Sequence, residues 1–181
     1  MNELPEGSAL PILPSFTAKN ATADQTPERI ALSLNEILTA NRLMSIATVR
    51  GKLPYVCALI FAYAPDLTLY FVSQPTTEHV KNLEAQDDIA CAIAHSEQSW
   101  DRPRRGLQIY GHAFRPTGAD LKKATDAYFA RWPGMRRAKF DPETGKDKDL
   151  HTHLFAIKPS FCKIFDEKIF GHETFVELNL S

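Results

Sequence analysis

Between residues 43 and 73 the chain reads LMSIATVR, GKLP, YVCALIFAYA, PD and LTLYFVS. Three runs rich in β-branched, aromatic and aliphatic residues are separated by two very short breaks. Connections that short force neighbouring strands to run antiparallel, because a parallel crossover needs a dozen or more residues. Further runs of the same kind follow: IACAIAHS (89–96), GLQIYGHAFRP (106–116), LFAIKPSFCKIFD (154–166) and TFVELNL (174–180). Many short strands must dispose of their edges, and closing a barrel does so. Strands do not alternate with long helices, which argues against a doubly wound sheet. The expected fold class is mainly β (α+β): six to eight antiparallel strands in a barrel with flanking helices.

Helical patterning is confined to a few places. Thr26 and Pro27 form an N-cap and N1 pair, and Ile30, Leu34, Ile37 and Leu38 share one face up to about Asn41. A short helix is expected over 76–85. Another starts at Thr117-x-x-Asp120, a capping-box-like pattern, with Leu121, Ala124, Tyr128 and Phe129 on its apolar side. Residues 1–25, rich in Pro, Ala, Thr and Ser, read as a flexible arm ahead of a single domain over 26–181. Residues 131–150 read as a long polar loop, and loop placement alone puts Arg131, Trp132 and the arginine-rich stretch at 102–105 on the substrate side of any site.

Charge and cysteine content narrow the function classes. A formal net charge of −1 gives no global field for nucleic acid or an anionic membrane. The longest apolar run is too short to span a bilayer, and the first residues lack a basic n-region, so a cytoplasmic address is expected. Cys57, Cys91 and Cys162 are odd in number and widely spaced, which fits buried small hydrophobes better than a disulfide framework. His151 and His153 share a face at period-two spacing, but no third ligand accompanies them and no metal is expected. The sequence holds no GxSxG, HExxH, GxGxxG or P-loop. Any chemistry is expected to rest on a cofactor.

The stretch SQPTTEHVKNL, Ser73 to Leu83, carries the sharpest signal. A strand ends there and a helix begins. Helix N-termini present free N–H groups and a partial positive charge, a natural seat for an anion. Ser73, Thr76 and Thr77 add hydroxyls, and His79 and Lys81 add cations that a phosphate would offset. A plain capped surface helix is the alternative.

The order LMSIATVRG, LPYVCALIFAYAPDLTLYFVS, TTEHVKNLEAQDDIACAIA, GLQIYGHA and YFARWP resembles the FMN-binding split β-barrel of the pyridoxamine 5′-phosphate oxidase-like superfamily. That resemblance implies a homodimer with FMN in clefts between subunits. It implies that Val56, Cys57 and Ala58 lie along the flavin ring, largely through backbone contacts, that Val72 and Ser73 end the next strand beside it, that Thr77 and His79 meet the phosphate with help from Lys81, and that Gln108 approaches the cofactor. It implies a small-molecule substrate, with NAD(P)H as a candidate donor. Two departures matter. Glu78-His79 stands where the family oxidase has Arg-Lys, which implies a softer phosphate grip. The C-terminal Arg-x-His pair that holds substrate in the oxidase is missing, which argues against pyridoxamine phosphate oxidation itself. The expected function is flavin-dependent hydride transfer through flavin N5; the alternative is a flavin, deazaflavin or haem binding module without robust turnover.

Overall fold

A computed structural model describes residues 15–19, 22–135, 140–147 and 149–181. The residues expected as an arm lie partly outside this set. Within it, Phe16–Lys19 forms strand β1 rather than a free arm. The two-residue turn after β2 (Leu43–Arg50) returns the chain antiparallel along β3 (Leu53–Tyr63), with Arg50 opposite Leu53. Gly51 sits there at φ 61°, a conformation that a two-residue hairpin needs and that glycine adopts without a Cβ penalty. The chain continues through β4 (Leu69–Ser73), β5 (Asp88–Ala94), β6 (Arg105–Phe114), β7 (His153–Asp166) and β8 (Phe175–Leu180).

The strands close on themselves in the order β7-β4-β3-β2-β5-β6 and back to β7. Every pairing around this six-stranded ring is antiparallel. Strand β7 makes closure possible because it is long. One of its edges pairs with β6 along most of its length, while the other pairs first with β4 and then with β8. β1 pairs with β8 outside the ring. The β6–β7 register shifts at Tyr110/Gly111, and a Cβ at Gly111 would lie 2.4 Å from the Lys158 carbonyl oxygen. Only glycine fits that approach.

Four helices are described. α1 (Pro27–Ala40) begins as expected, with the Thr26 hydroxyl accepting from the Arg29 N–H. Its Ile30, Leu34, Ile37 and Leu38 join the core inside the ring, as do Val80 and Leu83 of α2 (Glu78–Ala85). α3 (Gly118–Arg131) follows Thr117, which makes no side-chain cap hydrogen bond. It packs Leu121, Ala124 and Tyr128 on Ala62, Tyr70, Leu154 and Ala156, a second core outside the ring. α4 (Glu167–Phe170) is one turn, capped by Asp166.

A buried ionic cluster ties these parts together. Asp166 is fully buried and accepts from Arg105 at 2.6 and 2.8 Å and from the Ser33 hydroxyl at 2.5 Å. Arg105 also meets Glu36 at 2.8 Å, and Glu36 meets Lys168. The cluster thereby pins α1 to β6, β7 and α4. Removing one member strands a partner charge away from water. Asp166→Ala should lower the unfolding free energy by about 3 kcal/mol in urea titrations. Lys122→Ala, which removes an exposed helix pair with Asp126, should change it by less than about 0.5 kcal/mol.

Candidate functional site

Side chains alternate between the two faces of every strand in the ring, so each expected site residue is assigned a face by its position. On β3, Cys57, Leu59 and Phe61 point to the core, whereas Val56, Ala58 and Ile60 point outward. Registers then build rows across the outer surface. One row runs Val56, Ala47, Ala90, Tyr110 across β3, β2, β5 and β6. The next runs Ala58, Ser45, Ala92, Gln108. Four of the eight residues are alanine at or beside the centre and one is serine, so the floor is flat. Val56, Tyr110 and Gln108 stand at the ends as rims around a depression of about 330 Å³. Leu43, Val56, Ile60 and Tyr110 are each about half exposed or more: 54%, 63%, 49% and 54%. Among the described residues no helix covers this face; α3 lies on the outward side of β3, β4 and β7 instead.

Ser73, Thr77 and His79 do come together, on the inner side of β3 with Cys57. His79 is 6% exposed. Its Nε2 lies 2.7 Å from the Ser73 hydroxyl and 3.3 Å from that of Thr77, and its Nδ1 lies 3.4 Å from the Cys57 sulfur. Thr77 donates its own hydroxyl hydrogen to the Gln74 carbonyl at 2.8 Å. For a neutral ring, one assignment gives every contact but the longer Nε2–Thr77 one a hydrogen of its own. Cys57 S–H donates to Nδ1, Nε2–H donates to Ser73, and Ser73 O–H donates to Thr77 at 3.1 Å. Burial lowers the His79 pKa, which keeps the ring neutral. The same burial raises the Cys57 thiol, so it stays protonated. His79 is thus a closed polar link between β3, β4 and α2, with its ring nitrogens already spent.

The other expected residues are more scattered. Lys81 is exposed and meets Glu78 at 3.2 Å, and Glu78 also meets Arg50 at 3.0 Å. Thr77 gives α2 no side-chain cap, leaving its first-turn N–H groups to solvent or ligand. Val72 points away from Ser73, toward the core under α3. Arg131 donates to the carbonyls of Leu38 and Asn41, and Trp132 donates to that of Phe61 at 3.1 Å. Those two residues latch α3 to α1 and β3 rather than bordering a cleft. Sequence reasoning missed the flat face itself. Its signal was the alternation in β3 and β5, hidden because both faces of those strands are apolar. It also missed a surface cluster, where His112 Nδ1 lies 3.0 Å from Asp88 and 4.0 Å from Asp87.

No protein-family model matches the sequence, and no curated protein matches it. Solved structures do. A protein of unknown function from Agrobacterium tumefaciens is 21% identical, with a TM-score of 0.60 over 80% of this chain and 59% of that one. A candidate pyridoxamine 5′-phosphate oxidase from Listeria innocua is 17% identical, with a TM-score of 0.54 over 72% of this chain and 94% of that one. The fold is the pyridoxamine 5′-phosphate oxidase-like split barrel. A heme binding protein from Mycobacterium smegmatis shares this split barrel at 14% identity and a TM-score of 0.61, over 80% of this chain and 55% of that one. The chain therefore spans little more than half the length of two of these three proteins, and the identities speak for the split barrel alone.

The buried histidine makes a testable link between pH and stability. Its folded-state pKa lies below the ordinary 6.5, so the unfolded chain binds the extra proton more tightly. Its contribution is complete above pH 6.5 and is lost as pH falls below it. His79→Gln should cost about 1–2 kcal/mol at pH 7.5, and the gap between wild type and variant should shrink on going to pH 5. Urea titrations of both proteins across that range measure it; a gap that stays constant would contradict the neutral assignment.

Proposed function

We propose that this protein binds a flavin against the flat outward face of β2, β3, β5 and β6, works as a homodimer through that same face, and acts as an FMN-dependent oxidoreductase. One observation carries the reading: two rows of small residues lie flat between Val56, Tyr110 and Gln108 on an exposed apolar surface. Contiguous apolar surface of that kind marks a ligand or partner site. Small side chains bring the strand backbone within reach of a planar ring, and the rims limit its sliding.

The residues fit the ring better than the phosphate. His79 does not fit the role of a phosphate cation, because it is buried, neutral and saturated with hydrogen bonds. The first-turn amides of α2 and the exposed Arg50 and Lys81 are the groups left for it. Bound FMN would supply two-electron hydride chemistry at N5. The chain's part is to hold the ring flat, exclude water from one of its faces, and offer the Gln108 amide at its edge. Absence of charge from the floor favours a dry contact. A cytoplasmic address fits the three free thiols, and no helix among the described residues is long and apolar enough to cross a membrane.

A second reading has one observation in its favour. His112 follows Tyr110 by two residues, so it rises from the same outward face. Asp88 beside its Nδ1 would orient it, leaving Nε2 for a metal. His112 would be the residue to hold the iron of a tetrapyrrole on the flat face. The absorbance spectrum of purified protein separates the two readings, since a flavin gives bands near the blue and haem gives an intense Soret band.

Titration into FMN should quench flavin fluorescence, and the protein should sediment as a dimer. Val56→Asp places a charge on the floor's rim; it should weaken FMN binding about tenfold or more and shift the dimer toward monomer. Steady-state NADH or NADPH oxidation with FMN present distinguishes an enzyme from a binding module. A protein that leaves FMN fluorescence unchanged defeats the proposal.

A further inference from the structure

The outward rows continue beyond β6. Ala92, Gln108, Lys163 and Glu177 stand side by side across β5, β6, β7 and β8. The next row is Ala94, Gly106, Phe165, Phe175. Side chains are minimal at Ala94 and Gly106 and tall at the two phenylalanines, so the surface forms a step. A cleft of about 310 Å³ runs along it, at the small end of the range for small-molecule sites. Gly106 keeps the floor low. A Cβ there would lie 3.2 Å from the Ile93 carbonyl oxygen and 3.3 Å from the Ala94 Cβ.

The wall is aromatic and carries a cation. Phe165 and Phe175 stack with centroids 4.7 Å apart, and Phe175 remains 46% exposed. Lys163 Nζ sits 4.3 Å from the Phe175 centroid. The arginines nearby have their charges committed: Arg104 grips Glu167 at 2.8 and 3.1 Å, and Arg105 holds Asp166 and Glu36. Lys163 differs. It meets Glu177 at a loose 3.5 Å, and both side chains are about one-third exposed. Such a pair contributes little, so an incoming carboxylate can take its place. Gln98 accepts from the Arg105 N–H at 2.6 Å, which leaves its NH₂ group as a donor on the cleft wall.

We infer that this cleft is a subsite for a planar aromatic carboxylate, its ring against Phe175 and its carboxylate on Lys163 and Gln98. The cleft shares Ala92 and Gln108 with the flat face. The inference rests on the flavin reading insofar as it names that site's substrate class, but its recognition groups are separate from the flavin floor.

The test titrates the full chain, without added flavin, with 2-naphthoate and with the neutral 2-naphthamide, by calorimetry. Naphthoate should bind about fivefold tighter or more. Lys163→Met should abolish that preference and keep amide binding. Phe175→Ala should weaken both ligands about tenfold. Both positions are partly exposed, and unchanged thermal midpoints establish folding; either variant alone decides. Failure of wild type to bind, equal affinity for the two ligands, or indifference to either substitution overturns the inference. FMN titrations of the same proteins keep the two readings apart, since both variants should bind FMN as wild type does. Naphthoate preference without FMN binding removes the flavin and leaves the cleft; FMN binding without naphthoate preference does the reverse.

Discussion

Closure of the ring between β6 and β7 is the constraint on which the rest of the molecule depends. Once those strands pair, every inward side chain belongs to a dry core and every outward one must find cover elsewhere. The closure itself turns on a close approach: Gly111 lets the Lys158 carbonyl come where no Cβ could stand. β7 then supplies enough length to pair with β4 and β8 in succession along one edge. The helices answer unequally. α1 and α2 feed the inner core, and α3 covers β3, β4 and β7 from outside. What remains is the outward surface of β2, β5, β6 and the first half of β3. The candidate site is therefore the part of the barrel wall that the chain's described helices leave uncovered.

That uncovered wall is flat because its residues are small, and small residues on an exposed strand face need a reason. Burial cannot supply one, since alanine there gains little from packing. Close approach of a flat ring or of another backbone can. The Ser73–Thr77–His79–Cys57 chain of hydrogen bonds lies just behind this wall and fixes the end of β4 against β3. It ties the wall's strands together from inside through hydrogen bonds among neutral groups.

Much of the fold was legible in the sequence. Strand runs were readable because apolar stretches were bounded by Gly, Pro and Asp, and α1 was readable because Thr26-Pro27 marks its start. β1 was not, because Phe16–Lys19 is four residues among prolines and small polar residues, and only β8 makes it a strand. α4 was hidden for a similar reason: one turn depends on Asp166 as its cap, and Asp166 is held by Arg105, its partner on the neighbouring strand β6 but remote in sequence. The site was half legible. Ser73, Thr77 and His79 do converge, but sequence shows neither burial nor which side of β3 they face. Adjacent residues Val56, Cys57 and Ala58 serve opposite faces of one strand, so a ring could meet all three only through their backbone, which residue patterning alone did not show. Trp132 and Arg131 looked available because they begin a polar loop, yet backbone carbonyls of Phe61, Leu38 and Asn41 claim them.

The most direct measurement is a crystal structure of the protein grown with FMN. The isoalloxazine ring should lie flat on the alanine floor, within van der Waals contact of Ala47, Ala90 and Ala92, with Gln108 at its edge. A flavin bound anywhere else, or that floor filled by a side chain of the same protomer, would contradict that placement.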